Sequence, residues 1–153
     1  MLNRRGLAGW LDAERPESRR ATHCLFIDLD HFKVVNDSHG HDVGDELLAT
    51  TARRLTDLVG DSGAVARLGG DEFVVLVHDG RRAGEMDVPE LAKRILTTLR
   101  QPLPADDTTI AVSASVGVVP AGTDESLRDL LRRGDAALYD AKARGRDQVV
   151  ATA

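Results

Sequence analysis

Apolar residues recur along this chain at two periods, and the switches between them predict its elements. Cys24-Leu25-Phe26-Ile27 is a short unbroken apolar run, which reads as a buried strand from about His23 to Leu29. Leu48, Ala52, Leu55 and Val59 then fall at helical spacing, so Gly44 to Leu58 is expected to be a helix with one apolar face. Ala64-Val65-Ala66 and Phe73-Val74-Val75-Leu76-Val77 flank Gly69-Gly70-Asp71-Glu72, the pattern of a β-hairpin with acids at its tip. Leu91, Ile95 and Leu99 mark a helix that stops before Pro102. Thr109 to Val119 alternates like a strand, and Gly117 within it signals a bulge or a close approach.

The two ends of the chain follow the same logic. Leu7 to about Glu14 reads as a helix, and Arg15 to Arg20 as a polar loop. Ser126 with Asp129 resembles an N-terminal cap. Leu127, Leu130, Leu131, Ala137, Leu138 and Ala141 carry a long helix from there to Gly145. Gln148-Val149-Val150 adds a last strand. Hairpins mixed with crossover helices imply an α+β fold, a sheet with helices on one side.

Composition narrows the possibilities. A chain of 153 residues suits one domain with a real core, and no internal repeat or long linker divides it. The net charge of −5 argues against a nucleic-acid binder that works through a broad basic surface. Cys24 is the single cysteine and cannot form an internal disulfide, which suits a reducing cytosol. No apolar stretch approaches the roughly 20 residues of a membrane span. Arg4-Arg5 hints at a twin-arginine export signal, but Gly6 to Asp12 is too short and too soon charged to be its apolar core. His31, His39 and His41 match no strong zinc spacing, and surface roles are expected for them.

Candidate chemistry concentrates at the hairpin tip. Gly69-Gly70 lets the backbone take φ > 0 and leaves no Cβ to block a bulky anion. Asp71-Glu72 beside that opening would repel a phosphate, unless a divalent cation sits between them, since carboxylates are the hard ligands Mg²⁺ prefers. Asp28-Leu29-Asp30 closes the first strand, where sheets of this general kind bind ligands. Asp28 and Asp71 could then hold metal jointly, as two-metal phosphoryl or nucleotidyl transfer requires. Plainer readings stand beside this one: an ordinary Gly- and Asp-rich turn, and Asp28 as a simple strand end. Asn36 and Asp45 have the residue types of helix caps. Lys142 and Arg146 suit solvated positions near a helix C-terminus.

The blocks Asp28-Leu29-Asp30-His31-Phe32-Lys33-Val34-Val35-Asn36-Asp37, Gly40 to Asp45, Gly69 to Phe73, Val112 to Gly117 and Ala137 to Arg146 resemble, in order, those of the GGDEF family, the diguanylate cyclases. The similarity runs over nearly the whole chain. Leu2-Asn3-Arg4-Arg5 looks like the tail of the motif that opens such domains, so residues 1–153 are expected to be a single, N-terminally shortened GGDEF domain of a longer, multidomain protein. The resemblance implies a palm-like nucleotidyl cyclase fold, with a central, mostly antiparallel sheet flanked by helices. It implies a cytoplasmic enzyme, with an upstream sensor domain and no contact with nucleic acid or membrane. The reaction it implies condenses two GTP into cyclic di-GMP and two pyrophosphates, in a homodimer, with two Mg²⁺ or Mn²⁺ ions per site.

Carried over by residue, the resemblance makes Asp28, the Leu29 carbonyl, Asp71 and Glu72 the metal contacts. Asp71 also helps deprotonate the attacking 3′-hydroxyl, with Glu72 a second metal or base contact, and Lys33 neutralises the triphosphate. Amides near His31 and Phe32 cradle its end, Gly69 and Gly70 give it room, and Lys142 and Arg146 close on the phosphates. Asn36 and Asp45 read guanine, an Asp accepting from N1–H and the exocyclic amine, and His41 lines the same pocket. One departure is plain: where many members carry Arg-x-x-Asp for product inhibition, this chain has Gly60-Asp61-Ser62-Gly63. Two other classes remain to be weighed against the cyclase. One is a catalytically silent GTP-binding module that regulates a fused domain such as a cyclic di-GMP phosphodiesterase; the other is a structural oligomerisation domain.

Overall fold

The computed structural model describes residues 1–13, 21–78, 87–122 and 124–152; the expected loop at 15–20, and Glu14 before it, lie outside them. A five-stranded sheet runs in the order β2-β3-β1-β6-β7. Its strands are β1 (Ala21–Leu29), β2 (Gly63–Gly69), β3 (Glu72–His78), β6 (Ala114–Pro120) and β7 (Val149–Ala151). β4 (Leu103–Ala105) and β5 (Thr108–Ile110) pair as a separate hairpin. The helices are α1 (Arg4–Asp12), α2 (Phe32–His39), α3 (His41–Val59), α4 (Val88–Leu99) and α5 (Leu127–Ala143). Every pairing in the large sheet is antiparallel except that of β6 with β7.

Strand β1 lies at the centre, between β3 and β6. Leu25, Ile27 and Leu29 pack on one face with Val75, Val77, Val116 and Val118, under side chains of α2, α3 and α4. Cys24 and Phe26 pack on the other with Val74, Leu76 and Val119, against Leu7 of α1 and Leu130, Ala137 and Leu138 of α5. Helices therefore cover both faces, not one. The unbroken run Cys24–Ile27 was the sign of this, because a strand covered on both faces has no reason to alternate.

Local chemistry sets the boundaries. Helix α1 starts at Arg4 because the Asn3 side chain accepts the Gly6 N–H. The expected Ser126 cap accepts the Asp129 N–H at 3.2 Å. The strand expected from Thr109 to Val119 is instead broken. Ile110 pairs with Leu103 in the small hairpin, while the Ser113 carbonyl turns to accept the Asp30 N–H. Helix α2 is an element the periodicity did not reveal: eight residues with only Val35 buried leave little pattern to read.

Helix α5 lies close on the sheet because two glycines allow it. A methyl group at Gly117 would stand 2.7 Å from Ala137 Cβ, and one at Gly134 would stand 2.2 Å from the Phe26 ring. Gly117 is thus a close approach rather than a bulge. Gly134→Ala gains helix propensity of about 1 kcal/mol, but it drives a methyl into a fully buried ring. The net outcome expected is destabilisation by about 1–3 kcal/mol, read as a lowered midpoint in urea unfolding; an unchanged or raised midpoint would show that α5 can shift freely.

Candidate active site

The polar end of β1 gathers most of the candidate residues. Asp28 sits opposite Glu72 on β3 and Ser115 on β6, and only 7% of its side chain is exposed. Register alone therefore brings an acid from the first strand to the tip of the hairpin. The hairpin turns at Gly70-Asp71, with φ of 51° at Gly70, a left-handed value glycine takes without strain. The Arg67 guanidinium closes the turn from inside, donating through Nε and Nη2 to the Gly70 carbonyl at 3.0 and 2.8 Å. A methyl group at Gly69 or Gly70 would meet nothing within 4 Å, so this edge is open. The Asp71 carbonyl accepts the Leu29 N–H at 3.4 Å, which closes the tip onto β1.

Several charged side chains interact here. Burial, and then a hydrogen bond shared with the Asp71 carboxyl, pushes the Asp28 pKa up to about 6 against the pull of Lys142. Lys142, from the last turn of α5, donates to Asp28 Oδ2. Glu72 is also raised, by burial first and then by the carboxylates of Asp28 and Asp135, with Lys142 and Arg4 opposing. Among the described residues no three His, Cys, Asp or Glu side chains cluster as a metal cage. The donor set nonetheless fits Mg²⁺, which binds through one or two carboxylates and takes its remaining ligands from substrate phosphates and water. Asp28 and Asp71 are such a pair, and the Lys142 ammonium on Asp28 shows that positive charge is favoured beside them.

Next to this cluster stands α2. His31, left-handed at φ 57°, precedes its first turn, where Phe32 and Lys33 lie. The amides of a first helical turn have no intrahelical acceptor, which favours an anion there. Asn36, one turn on, has a buried Oδ1 with no hydrogen-bond partner among the described residues. It leans over α3 at Gly44, where a methyl group would stand 1.8 Å from that oxygen and 3.3 Å from Phe32 Cζ. Asp45 follows on the exposed side, and His41, also exposed, lies one turn before it. Asn36 and Asp45 are therefore not caps: each lies inside its helix, and Asn36 packs against Gly44, the residue before Asp45. Arg146 is exposed in the turn after α5, left-handed at φ 64°.

The family profile "Diguanylate cyclase, GGDEF domain" matches residues 1–148. The chain is a GGDEF domain. It is 41% identical over 124 residues to the cyclic di-GMP phosphodiesterase NbdA of Pseudomonas aeruginosa, a match covering 80% of this chain and 16% of NbdA. It is 38% identical over 135 residues to the probable diguanylate cyclase DgcC of Escherichia coli, covering 88% of this chain and 35% of DgcC. The crystal structure of the diguanylate cyclase SiaD with its activator SiaC, from Pseudomonas aeruginosa, superposes with a TM-score of 0.86 at 34% identity. That superposition covers 98% of this chain and 58% of SiaD. This GGDEF domain thus spans well under half the length of these curated relatives. No described helix is long and apolar enough to cross a membrane.

Sequence reasoning did not single out Gly44 or Asp135. A helical glycine is silent until the neighbour that needs its space is known. Asp135 lies seven residues before Lys142, two helical turns away on the same face of α5, which was a usable signal.

The raised Asp28 pKa fixes the sign of a pH effect. An acid whose pKa is higher folded than unfolded binds more protons in the native state, so its contribution to stability falls as pH rises. The window runs from the ordinary 3.8 to about 6. Asp28→Asn removes this loss, so without metal the mutant should gain on wild type across that window in urea unfolding at stepped pH. A gap that does not change with pH would show that burial and its neighbours do not raise the Asp28 carboxyl.

Proposed function

We propose that this GGDEF domain is a diguanylate cyclase that condenses two GTP into cyclic di-GMP and two pyrophosphates, in a homodimer and with Mg²⁺ or Mn²⁺. One observation carries the reading: the Leu29 N–H bonds the Asp71 carbonyl and so joins the end of β1 to the hairpin tip, which sets Asp28 beside Asp71 with the Lys142 ammonium on Asp28. Such a site is ready for cations and for the phosphates they accompany. Two bound divalent ions, when present, would neutralise the triphosphate and make the attacking hydroxyl more acidic. Asp28, the Leu29 carbonyl and Asp71 would hold them, with Glu72 beside.

The remaining residues take the nucleotide. Phe32, Asn36, His41 and Asp45 hold the base between α2 and α3, and the Asn36 oxygen supports this, since among the described residues it has no donor, the kind of group guanine offers. Lys33, Lys142, Arg146 and the amides after His31 hold phosphate, with Gly69 and Gly70 leaving the approach open. Asp71 helps take the proton from the 3′-hydroxyl. That oxygen forms a bond to the α-phosphorus of the facing GTP, and the bond from that phosphorus to pyrophosphate breaks. Attack between two half-sites needs a second copy of the domain.

The missing Arg-x-x-Asp shapes regulation. Position 63 cannot readily carry an acid, because a Cβ there would stand 1.8 Å from the Leu76 carbonyl oxygen. Product inhibition through that route is therefore absent. On this reading the domain works in the cytoplasm under an upstream sensor, and the 16% of NbdA and 35% of DgcC that it covers support its being one part of a longer protein.

A silent GTP-binding module is the second reading, favoured by the likeness to NbdA, a phosphodiesterase. Incubation of a dimeric form with GTP and Mg²⁺, followed by nucleotide chromatography, separates them: cyclic di-GMP means cyclase, unchanged bound GTP means module, and neither means scaffold. Asp71→Ala should lower the rate at least about a hundredfold; a rate matching wild type would remove Asp71 from the mechanism. Asp45→Ala should weaken GTP binding about tenfold or more, the scale of one charged hydrogen bond, and relax selection against ATP. Unchanged affinity and selectivity would move the base elsewhere.

A further inference from the structure

Asp30 is a buried carboxylate that the reaction above does not use. It is 4% exposed, and its oxygens accept from three places at once. Ser115 Oγ donates to Oδ1 at 2.7 Å, Ser113 Oγ to Oδ2 at 2.6 Å, and the Asp147 backbone N–H to Oδ2 at 3.0 Å. Both serines belong to the start of β6 or the residue before it. Asp147 belongs to the turn after α5.

That turn is held against its preference. Gly145, Arg146 and Asp147 have φ of 111°, 64° and 47°, three left-handed residues in succession. Left-handed backbone costs about 1–2 kcal/mol for each residue with a Cβ, so two such residues persist only where the surroundings hold them. Asp147 is held from two sides. Asp30 takes its N–H, while Arg100 at the end of α4 donates Nε to its Oδ1 at 2.7 Å and Nη2 to its carbonyl at 3.3 Å. The Arg146 N–H bonds the Ala141 carbonyl at 3.1 Å, wrapping the turn onto the last helical residues. The end of β1 therefore grips this unit twice, with Asp28 on the Lys142 side chain and Asp30 on the backbone beyond Arg146.

We propose that Asp30 is a positioning residue for the nucleotide site, fixing the left-handed turn that presents Arg146 to phosphate. This rests on the reading of Arg146 as a phosphate contact. Asp30 touches no reacting atom; it acts through the Asp147 amide. An asparagine at 30 can still bond the serines, but it has one oxygen where three donors converge.

The test has two arms on the chain as it stands. In the first, without nucleotide, hydrogen exchange at the Asp147 amide should speed up about tenfold or more in Asp30→Asn while β1 and β3 amides are unchanged. An Asp147 amide that exchanges at the wild-type rate overturns the proposal. In the second, GTP affinity with Mg²⁺ is measured by calorimetry for wild type, Asp30→Asn, Arg146→Ala and the double variant. Each single change should weaken binding about tenfold, and the double no more than Arg146→Ala alone. Independent losses that multiply, or wild-type affinity in Asp30→Asn, overturn it. A wild-type chain that binds no GTP while its Asp147 amide still responds overturns the nucleotide reading, and the positioning role with it. Ser113→Ala removes one donor to the same oxygen, and it carries both measurements should Asp30→Asn fail to fold.

Discussion

Two carboxylates that meet in a half-buried place repel one another by about 4 kcal/mol at 4 Å and an effective dielectric of about 20. β-sheet register sets Asp28 beside the hairpin tip, the Leu29 N–H holds the Asp71 carbonyl there, and the Lys142 ammonium offsets the repulsion. Much of the architecture is a condition for this one arrangement. β3 must neighbour β1 so that the hairpin tip reaches the end of the central strand. Helix α5 must lie close enough for its last turn to reach the same point, and Gly117 and Gly134 make that approach possible. A domain that keeps two acids together with a lysine has a site whose stable occupant is more positive charge.

The division of labour follows the layers. On the proposed reading the base lies between α2 and α3, which belong to one side of the sheet. The phosphates meet Lys142 and Arg146 from α5 and its turn, which belong to the other. Helices on both faces are thus required for one nucleotide to be gripped along its length. The buried Asn36 oxygen, without a partner among the described residues, and the basic residues of α5 and its turn fit that split: a polar contact for the base, an open charged edge for the phosphates.

Much of this was legible in the sequence, and the exceptions have physical causes. The central strand, the hairpin and α5 announced themselves because each buries a clear apolar pattern. Helix α2 did not, since eight residues with one buried side chain carry almost no period. The break between Ile110 and Ala114 was invisible because it depends on Asp30, more than eighty positions away. The site behaves similarly. Asp28 and Asp71 pointed to a joint metal site from their places at a strand end and a hairpin tip, while Lys142, ordinary taken singly, was tied to them only by the ordered family blocks. Asp30 sits inside one of those blocks, yet its role needed three partners that only the folded chain supplies. Gly44 needed one, the Asn36 side chain.

The hairpin tip depends on more than the two strands that form it. Leu2 pairs with the outer edge of β2, its N–H to the Val65 carbonyl at 2.8 Å and its carbonyl to the Arg67 N–H at 2.9 Å. Arg67 is the residue whose guanidinium grips the Gly70 carbonyl, the step immediately before Asp71. A sheet edge left open invites pairing with other chains, and here the chain's own first residues cover part of it. The same cover steadies the backbone of the residue that shapes the turn. Asp71 therefore stands where it does through a short series of contacts: Leu2 to Arg67, Arg67 to Gly70, and the Asp71 carbonyl to Leu29. Loss of the first contact frees the Arg67 backbone without touching any acid, so the placement of Asp71 against Asp28 is sensitive to the N-terminal residues as well as to the sheet.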